Sequence, residues 1–162
     1  MPTRRRAREV ALQSLYQLEV NPEMDGLDRF LAGRLGAGPL VAFARSLVDG
    51  VSARRTTLDE AIDARSENWR LSRMAATDRA VLRLAAYELF HTDAPGPVVV
   101  NEAIELARRY GTEASPRFVA GILGRLLADR DAGAAPAGPS TAAQGRPSGE
   151  PIHGAVPLRP QG

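Results

Sequence analysis

The sequence predicts an all-α protein, a compact bundle of about seven helices. Apolar residues recur at helical spacing in seven segments of residues 3–130, and the strand-like run at 98–100 has no second strand to pair with. The stretch 77–90, TDRAVLRLAAYELF, is apolar around most of its circumference when it is read as a helix. Such a helix is typical of the middle of a bundle. We therefore expect this segment to be the central helix.

The composition fits one globular domain and excludes several chemistries. The chain has 162 residues, 44% of them hydrophobic and 25% charged, which is enough for a real core. It has no cysteine, so disulfides, thiol catalysis and cysteine-ligated zinc are excluded. It has no lysine either, which excludes a phosphate-loop lysine or a Schiff base. No apolar run is long enough for a bilayer and no signal peptide is evident, so we expect a cytoplasmic protein without a membrane partner.

The first helix is expected to begin after Thr3, a good N-cap, and to run to about Glu19. Its beginning carries four arginines: Arg4, Arg5, Arg6 and Arg8. Positive charge there opposes the helix dipole, so we expect these side chains to face outward and to hold an external anion. Arginine pairs with phosphate and stacks on unpaired bases, which favours RNA. A solvated basic terminus and an acidic protein partner remain alternatives.

Turn and capping signals place the next three helices. The Asn-Pro pair at 21–22 ends the first helix, and the second is expected at about 26–35. Pro39 suits the beginning of the third helix. The pattern at 57–60, TLDE, is a capping box that is expected to open the fourth. Trp69, the only tryptophan, follows that helix and is expected to anchor the core or its rim.

Similar signals place the last three helices. Thr77 is expected to cap the central helix, which must end before the proline-rich segment 93–97. The sixth helix is expected to end at Gly111. The seventh is expected to have Ser115 as its N-cap and Pro116 as its first helical residue. From Asp131 the composition turns to Ala, Gly, Pro and Ser. We therefore expect a folded domain at 1–130 and a disordered tail at 131–162.

Residues that could perform catalysis are few. The two histidines, His91 and His153, fall at a helix end and in the tail, so they form no metal site or catalytic triad. Glu102 and Glu105 lie one helical turn apart, but no third ligand is evident, and the spacing is typical of a solvated helix face. We expect a binding protein that is not an enzyme and that holds no cofactor or metal.

Three stretches resemble a known family. They are RRRAREVALQSLYQLE at 4–19, LRLAAYEL at 82–89 and VNEAIELARRYGTEASPRFVAGIL at 100–123. In order and spacing they resemble the NusB family of bacterial transcription antitermination factors. The resemblance implies two packed helical subdomains and binding of boxA-like single-stranded RNA in ribosomal RNA leaders. It implies NusE, a small-subunit ribosomal protein, as a partner, within an RNA polymerase antitermination complex that includes NusA and NusG.

The same resemblance implies which residues bind. The RNA-binding residues would be Arg4, Arg5, Arg6, Arg8, Ser115, Arg117 and Phe118. The residues facing NusE would be Tyr16, Asp78, Arg83 and Glu88. The chain departs from the family at Ala120, which replaces the asparagine of a Phe-Val-Asn-Gly motif, and at Gly124, where the family often has aspartate. The tail also lies outside the family pattern.

The residues are also compatible with other functions. The leading hypothesis is a non-enzymatic RNA-binding transcription factor. The second is a stand-alone RNA-binding docking module, like the helical domain at the N-terminus of some ribosomal RNA cytosine methyltransferases. The third is a protein-interaction module in which the arginines meet an acidic partner, and a small-molecule enzyme comes last. The apolar faces are compatible with a monomer or a homodimer.

Overall fold

A computed structural model describes residues 3–36, 38–67 and 69–133. Within these ranges the chain forms seven α-helices, a short 3-10 helix at Leu71–Arg73 and no β-strand, which confirms the all-α prediction. The helices are α1 (Arg4–Val20), α2 (Leu27–Leu35), α3 (Pro39–Ala53), α4 (Arg55–Arg65), α5 (Ala76–His91), α6 (Gly96–Tyr110) and α7 (Ser115–Asp131). The tail predicted at 131–162 lies outside the described residues from residue 134 onward.

The helices form two groups that meet at α5. Helices α1, α2 and α3 pack on one another, and α6 and α7 pack on each other and on α5. Helix α5 also contacts α1, α3 and α4. Ten of its 16 residues are buried, because its apolar residues cover most of the circumference and each side finds a neighbouring helix. The predicted central helix is therefore confirmed.

The capping predictions have mixed outcomes. Thr3 is the N-cap of α1, and its hydroxyl oxygen accepts a hydrogen bond from the Arg6 N–H at 3.2 Å, as predicted. The predictions for Thr57 and Thr77 are wrong, because α4 and α5 each begin before these threonines and have no side-chain cap. Helix α4 follows α3 with only Arg54 between them, so the chain has no extended residue where a cap at Thr57 would be.

The end of α6 is fixed by close packing. Gly111 follows the last helical residue, but its φ of −92° lies outside the left-handed region. A Cβ at this position would instead lie 2.5 Å from the Ser115 Oγ. That hydroxyl accepts a hydrogen bond from the Thr112 N–H at 2.9 Å, which holds the loop between α6 and α7 against the first turn of α7. Helix α7 begins at Ser115 with Ala114 as its N-cap, so the prediction that Ser115 is the N-cap and Pro116 the first helical residue is wrong.

Helices α3 and α5 approach closely at Gly50. A Cβ at Gly50 would lie 2.1 Å from Cζ of Tyr87, so the glycine makes room for an aromatic ring of α5. Gly124 of α7 differs, because it is exposed and no atom lies within 4 Å of a Cβ built there.

These two glycines should respond to alanine in opposite ways. We expect Gly50→Ala to lower the free energy of unfolding by about 1–3 kcal/mol, because the tyrosine ring must move. As the matched control, Gly124→Ala should raise it by up to about 1 kcal/mol through helix propensity. Urea unfolding followed by circular dichroism measures both. Equal effects of the two substitutions would contradict the packing at Gly50.

His91, at the end of α5, should make stability depend on pH. Its ring is half-buried and stacks on Tyr87 with 5.6 Å between ring centroids. Burial lowers the pKa of His91 below its usual 6.5, and the nearby Arg54 charge lowers it further. Below pH 6.5 the unfolded chain therefore binds a proton that the folded chain resists.

We expect the free energy of unfolding to fall as the pH falls from 7 through 6.5 toward 5. The loss should be smaller in His91→Phe, which keeps the ring and removes the titration. Unfolding curves of both proteins across this pH range provide the measurement. Identical pH profiles for the two proteins would show that His91 titrates normally when folded.

Candidate nucleic-acid interface

The four arginines of the α1 beginning, here called the α1 arginine cluster, are not equivalent. Arg4 is exposed, the Arg5 side chain is 66% exposed and the Arg6 side chain 35%. The Arg8 side chain is only 7% exposed. Three of the four arginines therefore reach solvent. This agrees with an outward basic surface for Arg4, Arg5 and Arg6.

Arg8 lies inside the protein, so the expectation that it faces outward is wrong. Its Nε lies 3.0 Å from both carboxylate oxygens of Glu88, and its Nη2 lies 2.9 Å from Oε1. Glu88 belongs to α5 and is 2% exposed, so it cannot meet NusE as the resemblance implied. A buried carboxylate requires a counter-charge, and Arg8 supplies it one helical turn beyond Arg4.

Arg4 is held by α3. Its guanidinium carbon lies 4.5 Å from the centroid of the Phe43 ring, and that of Arg8 lies 5.3 Å from the same centroid. A ring face attracts a guanidinium group and offsets the repulsion between two cations at i and i+4. The Phe43 ring of α3 therefore orients the exposed Arg4 guanidinium group, a role that the sequence did not reveal.

Arg5 and Arg6 make ion pairs at the surface. Arg5 donates through Nε and Nη2 to Glu102 of α6 at 3.0–3.3 Å, while Arg6 Nη1 lies 3.1 Å from Glu9 Oε1. Arg5 and Arg6 therefore reach solvent as expected, but each is also paired with a glutamate of the protein itself. The Arg5–Glu102 pair is the more exposed of the two and contributes little to stability, so an incoming phosphate can compete for the Arg5 guanidinium group.

Glu9 of α1 also contacts two residues at the end of α6, Arg109 and Tyr110. Its carboxylate is almost buried, accepts a hydrogen bond from the Tyr110 hydroxyl and lies 3.1 Å from Arg109 Nη1. Burial raises the pKa of the Tyr110 phenol, and the bond to Glu9 raises it further. Arg108 and Arg109 have side chains 58% and 66% exposed, pair with Glu105 and Glu9, and line one surface pocket with Arg5. Helical periodicity does not place them next to α1, because that position depends on the tertiary fold.

The beginning of α7 presents a second part of the predicted RNA surface. Arg117 is exposed and Phe118 is half-buried. Ser115 is only 2% exposed, and its hydroxyl is engaged by the Thr112 N–H. Arg117 and Phe118 can therefore meet a ligand, whereas Ser115 supports the loop.

Two clefts flank the beginning of α5. The Tyr16 cleft, of about 200 Å³, lies between Tyr16 of α1, Thr77 of α5 and Tyr110 of α6. The Trp69 cleft, of about 250 Å³, is lined by Trp69, Arg73, Asp78, Thr112, Ser115 and Phe118. Thr77 and Asp78 are neighbours in the chain, so the clefts lie side by side. Tyr110 joins the Tyr16 cleft to Glu9, and hence to the α1 arginine cluster.

The four residues predicted to face NusE differ in exposure, and the structure does not bring them to one surface. Tyr16 is 40% exposed on the rim of its cleft, whereas Asp78 is 9% exposed and lines the other cleft. Arg83 is 8% exposed and donates to Asp59 of α4 at 2.7 and 3.0 Å. Arg83 and Glu88 thus hold helices together, and their prediction as surface residues is wrong. The family resemblance implied a surface position for both, but Asp59 of α4 and Arg8 of α1 carry the opposite charges that hold them inside.

Neither a metal centre nor a membrane span emerges from the part of the chain that the structure describes. No group of three His, Asp or Glu side chains there is placed to hold a metal ion. No helix among those residues is long and apolar enough to cross a membrane.

The fold and this surface define a class: an all-α binding domain with a basic face beside two clefts. The chain belongs to the NusB family, whose model matches residues 5–128. The transcription antitermination protein NusB of Anaeromyxobacter dehalogenans is 51% identical over 126 residues, which are 76% of this chain and 89% of the relative. The resemblance seen in the sequence is thereby confirmed.

Solved structures agree with this assignment. T. maritima NusB superimposes with a TM-score of 0.71 and 38% identity, covering 79% of this chain and 92% of that one. A chain in the crystal structure of antitermination factors NusB and NusE in complex with dsRNA superimposes with a TM-score of 0.68. That match covers 77% of this chain and 96% of the other at 24% identity, so it supports the fold alone.

The Arg8–Glu88 pair should matter for stability. We expect Arg8→Ala to lower the free energy of unfolding by about 3–5 kcal/mol, because it leaves a buried carboxylate without a counter-charge. The double replacement Arg8→Met with Glu88→Leu should recover most of the loss, since it removes both charges. Denaturant unfolding measures the difference, with the exposed Arg5→Ala as a control that should change stability little. Equal stability of Arg8→Ala and the wild type would contradict a buried pair.

Proposed function

We propose that this protein is a transcription antitermination factor that binds boxA-like single-stranded RNA of ribosomal RNA leaders together with NusE. The observation that carries the proposal is the exposed α1 arginine surface beside two clefts. Relatives of this protein are named transcription antitermination proteins, which supports the same function. The protein would act without catalysis or cofactor, in the cytoplasm, within an RNA polymerase complex that includes NusA and NusG.

The RNA strand would follow the exposed arginines. The Phe43 ring orients Arg4 before RNA binds. Glu102 likewise aligns the Nε and Nη2 donors of Arg5. Phosphate and carboxylate both suit the bidentate geometry of a guanidinium group, so a phosphate can join or replace the glutamate. Arg108 and Arg109 line one surface pocket with Arg5, and their exposed guanidinium groups can also reach a phosphate. Contacts of this kind give affinity that falls steeply with salt.

NusE would dock at the Tyr16 cleft. The walls of this cleft are mainly apolar, and Tyr16 offers an exposed ring on its rim. Tyrosine is enriched among the residues that dominate protein interfaces, because it combines contact area with a hydrogen-bonding group. A second copy of this chain could cover the same cleft, so a homodimer and the NusE complex would compete.

The test is a titration of labelled boxA-like RNA followed by fluorescence anisotropy, at salt from 50 to 200 mM, with and without NusE. We expect NusE to tighten binding. Arg4→Ala and Arg5→Ala should each weaken binding and reduce the slope of log affinity against log salt by about 0.7, the contribution of one phosphate on a single strand. The matched control is Arg29→Ala, an exposed arginine on α2, which should leave the slope unchanged.

Three results would contradict the proposal. Equal affinity for boxA-like and scrambled RNA, with NusE present, would remove the sequence-specific function. If this protein captures a ribosomal RNA methyltransferase in a pull-down rather than transcription factors, the alternative function as an RNA-binding docking module is favoured. Partner binding that survives nuclease treatment, and that depends on the α1 arginines, would favour an acidic protein partner.

A further inference from the structure

Glu9 is a buried carboxylate at the edge of the α1 arginine cluster. It is 5% exposed and lies one helical turn beyond Arg6. Three donors meet on one of its oxygens, Oε1: the Arg6 and Arg109 guanidinium groups, each through Nη1 at 3.1 Å, and the Tyr110 hydroxyl. A carboxylate oxygen offers about two lone pairs, so these three donors compete for it.

The three donors differ in how freely they can leave Glu9. The Arg6 and Arg109 side chains are 35% and 66% exposed, so each can turn toward an anion in solvent. The Tyr110 hydroxyl is held, because its ring is half-buried and its oxygen accepts a hydrogen bond from Gln13 Nε2 at 3.3 Å. Glu9 therefore has two arrangements, one that holds both arginines and one in which Tyr110 remains on Oε1 after the arginines have left.

Releasing the two arginines has a cost that Tyr110 reduces. A buried carboxylate without a partner is strongly unfavourable, because its charge has lost the water that solvated it. Burial and the bond to Glu9 raise the pKa of the Tyr110 phenol, so the phenol keeps its proton and remains a donor. Hydrogen bonds to an ionised acceptor are among the stronger ones in proteins. The Tyr110–Glu9 bond therefore influences how readily Arg6 and Arg109 become available to a phosphate.

The same phenol also borders the Tyr16 cleft. Gln13, Tyr16 and Tyr110 all line this cleft, and the Tyr16 ring on its rim is 40% exposed. A partner that packs against Gln13 and Tyr110 restricts both side chains, so it holds the phenol where it donates to Glu9. The cleft and the two arginines are therefore connected through one hydrogen bond, and no helix has to move.

We propose that Glu9 and Tyr110 are positioning residues that couple the Tyr16 cleft to Arg6 and Arg109. NusE in the cleft fixes the phenol on Glu9, and Glu9 then releases the two guanidinium groups to the RNA backbone. The coupling is reciprocal, so bound RNA strengthens NusE binding by the same factor. This inference rests on the proposed function and names the residues through which one ligand improves the site of the other.

The test is the factor by which saturating NusE tightens the binding of boxA-like RNA to the full-length protein, measured by fluorescence anisotropy. Tyr110→Phe keeps the ring and removes the hydroxyl, so this factor should fall roughly fivefold, the lower end of couplings between two sites. Tyr16→Phe is the matched control, because it removes a hydroxyl from the same cleft and keeps the Tyr110–Glu9 hydrogen bond. The control should leave the factor unchanged.

Glu9→Gln tests whether the effect passes through the carboxylate. The amide is neutral and holds the two arginines weakly, so RNA affinity without NusE should rise several-fold. In the Glu9→Gln background, Tyr110→Phe should no longer change the tightening factor. A factor that still falls there would show that Tyr110 acts on a ligand directly, which would overturn the coupling. Circular dichroism verifies that each variant folds.

Failure of this inference is distinguishable from failure of the proposed function. If NusE tightens RNA binding equally in the wild type and in Tyr110→Phe, the function stands and the coupling is overturned. If Tyr110→Phe only raises the NusE concentration needed for saturation, Tyr110 is no more than a wall of the cleft, and the coupling is again overturned. If boxA-like RNA binds no better than scrambled RNA with NusE present, the proposed function fails and the inference falls with it.

Discussion

The ion pairs that α5 makes with its neighbours fix the rest of this structure. Arg8 of α1 pairs with Glu88 near the end of α5, and Glu19 of α1 pairs with Arg79 near its beginning. Two such contacts, one turn or less from the ends of the helices, set α1 antiparallel to α5 and fix its register. Because an unpaired buried charge is far more costly than a lost apolar contact, alternative registers of α1 are strongly disfavoured.

This register determines which arginines reach solvent. With Arg8 held inside, Arg4 falls one helical turn further out and rests on Phe43, while Arg5 turns toward Glu102 of α6. The basic surface is thus a consequence of the internal pair and is not a flexible terminus. Its ion pairs with glutamates orient the guanidinium groups in advance, which lowers the conformational entropy that RNA binding must overcome.

The sequence predicted much of the fold and less of the candidate site. The seven helices follow from apolar periodicity, and Thr3 caps α1 as its residue type suggested. Thr57 and Thr77 show the same capping chemistry but lie inside helices, because capping depends on where the preceding chain arrives. The family resemblance identified the α1 arginines, yet it did not separate Arg8 from the others. Burial of one arginine among four depends on Glu88, 80 residues away in the chain.

The sequence by itself determined the helices, the central position of α5, the absence of thiol and lysine chemistry, and the family. These properties depend on residue type and on spacing within one segment, which the chain order contains directly. Only the tertiary structure decided that Arg8, Arg83 and Glu88 are internal, that Arg109 joins the α1 surface, and that Trp69, Asp78 and Phe118 line one cleft. Each of these depends on the distance between side chains from different helices, and helical periodicity does not encode how two helices pack.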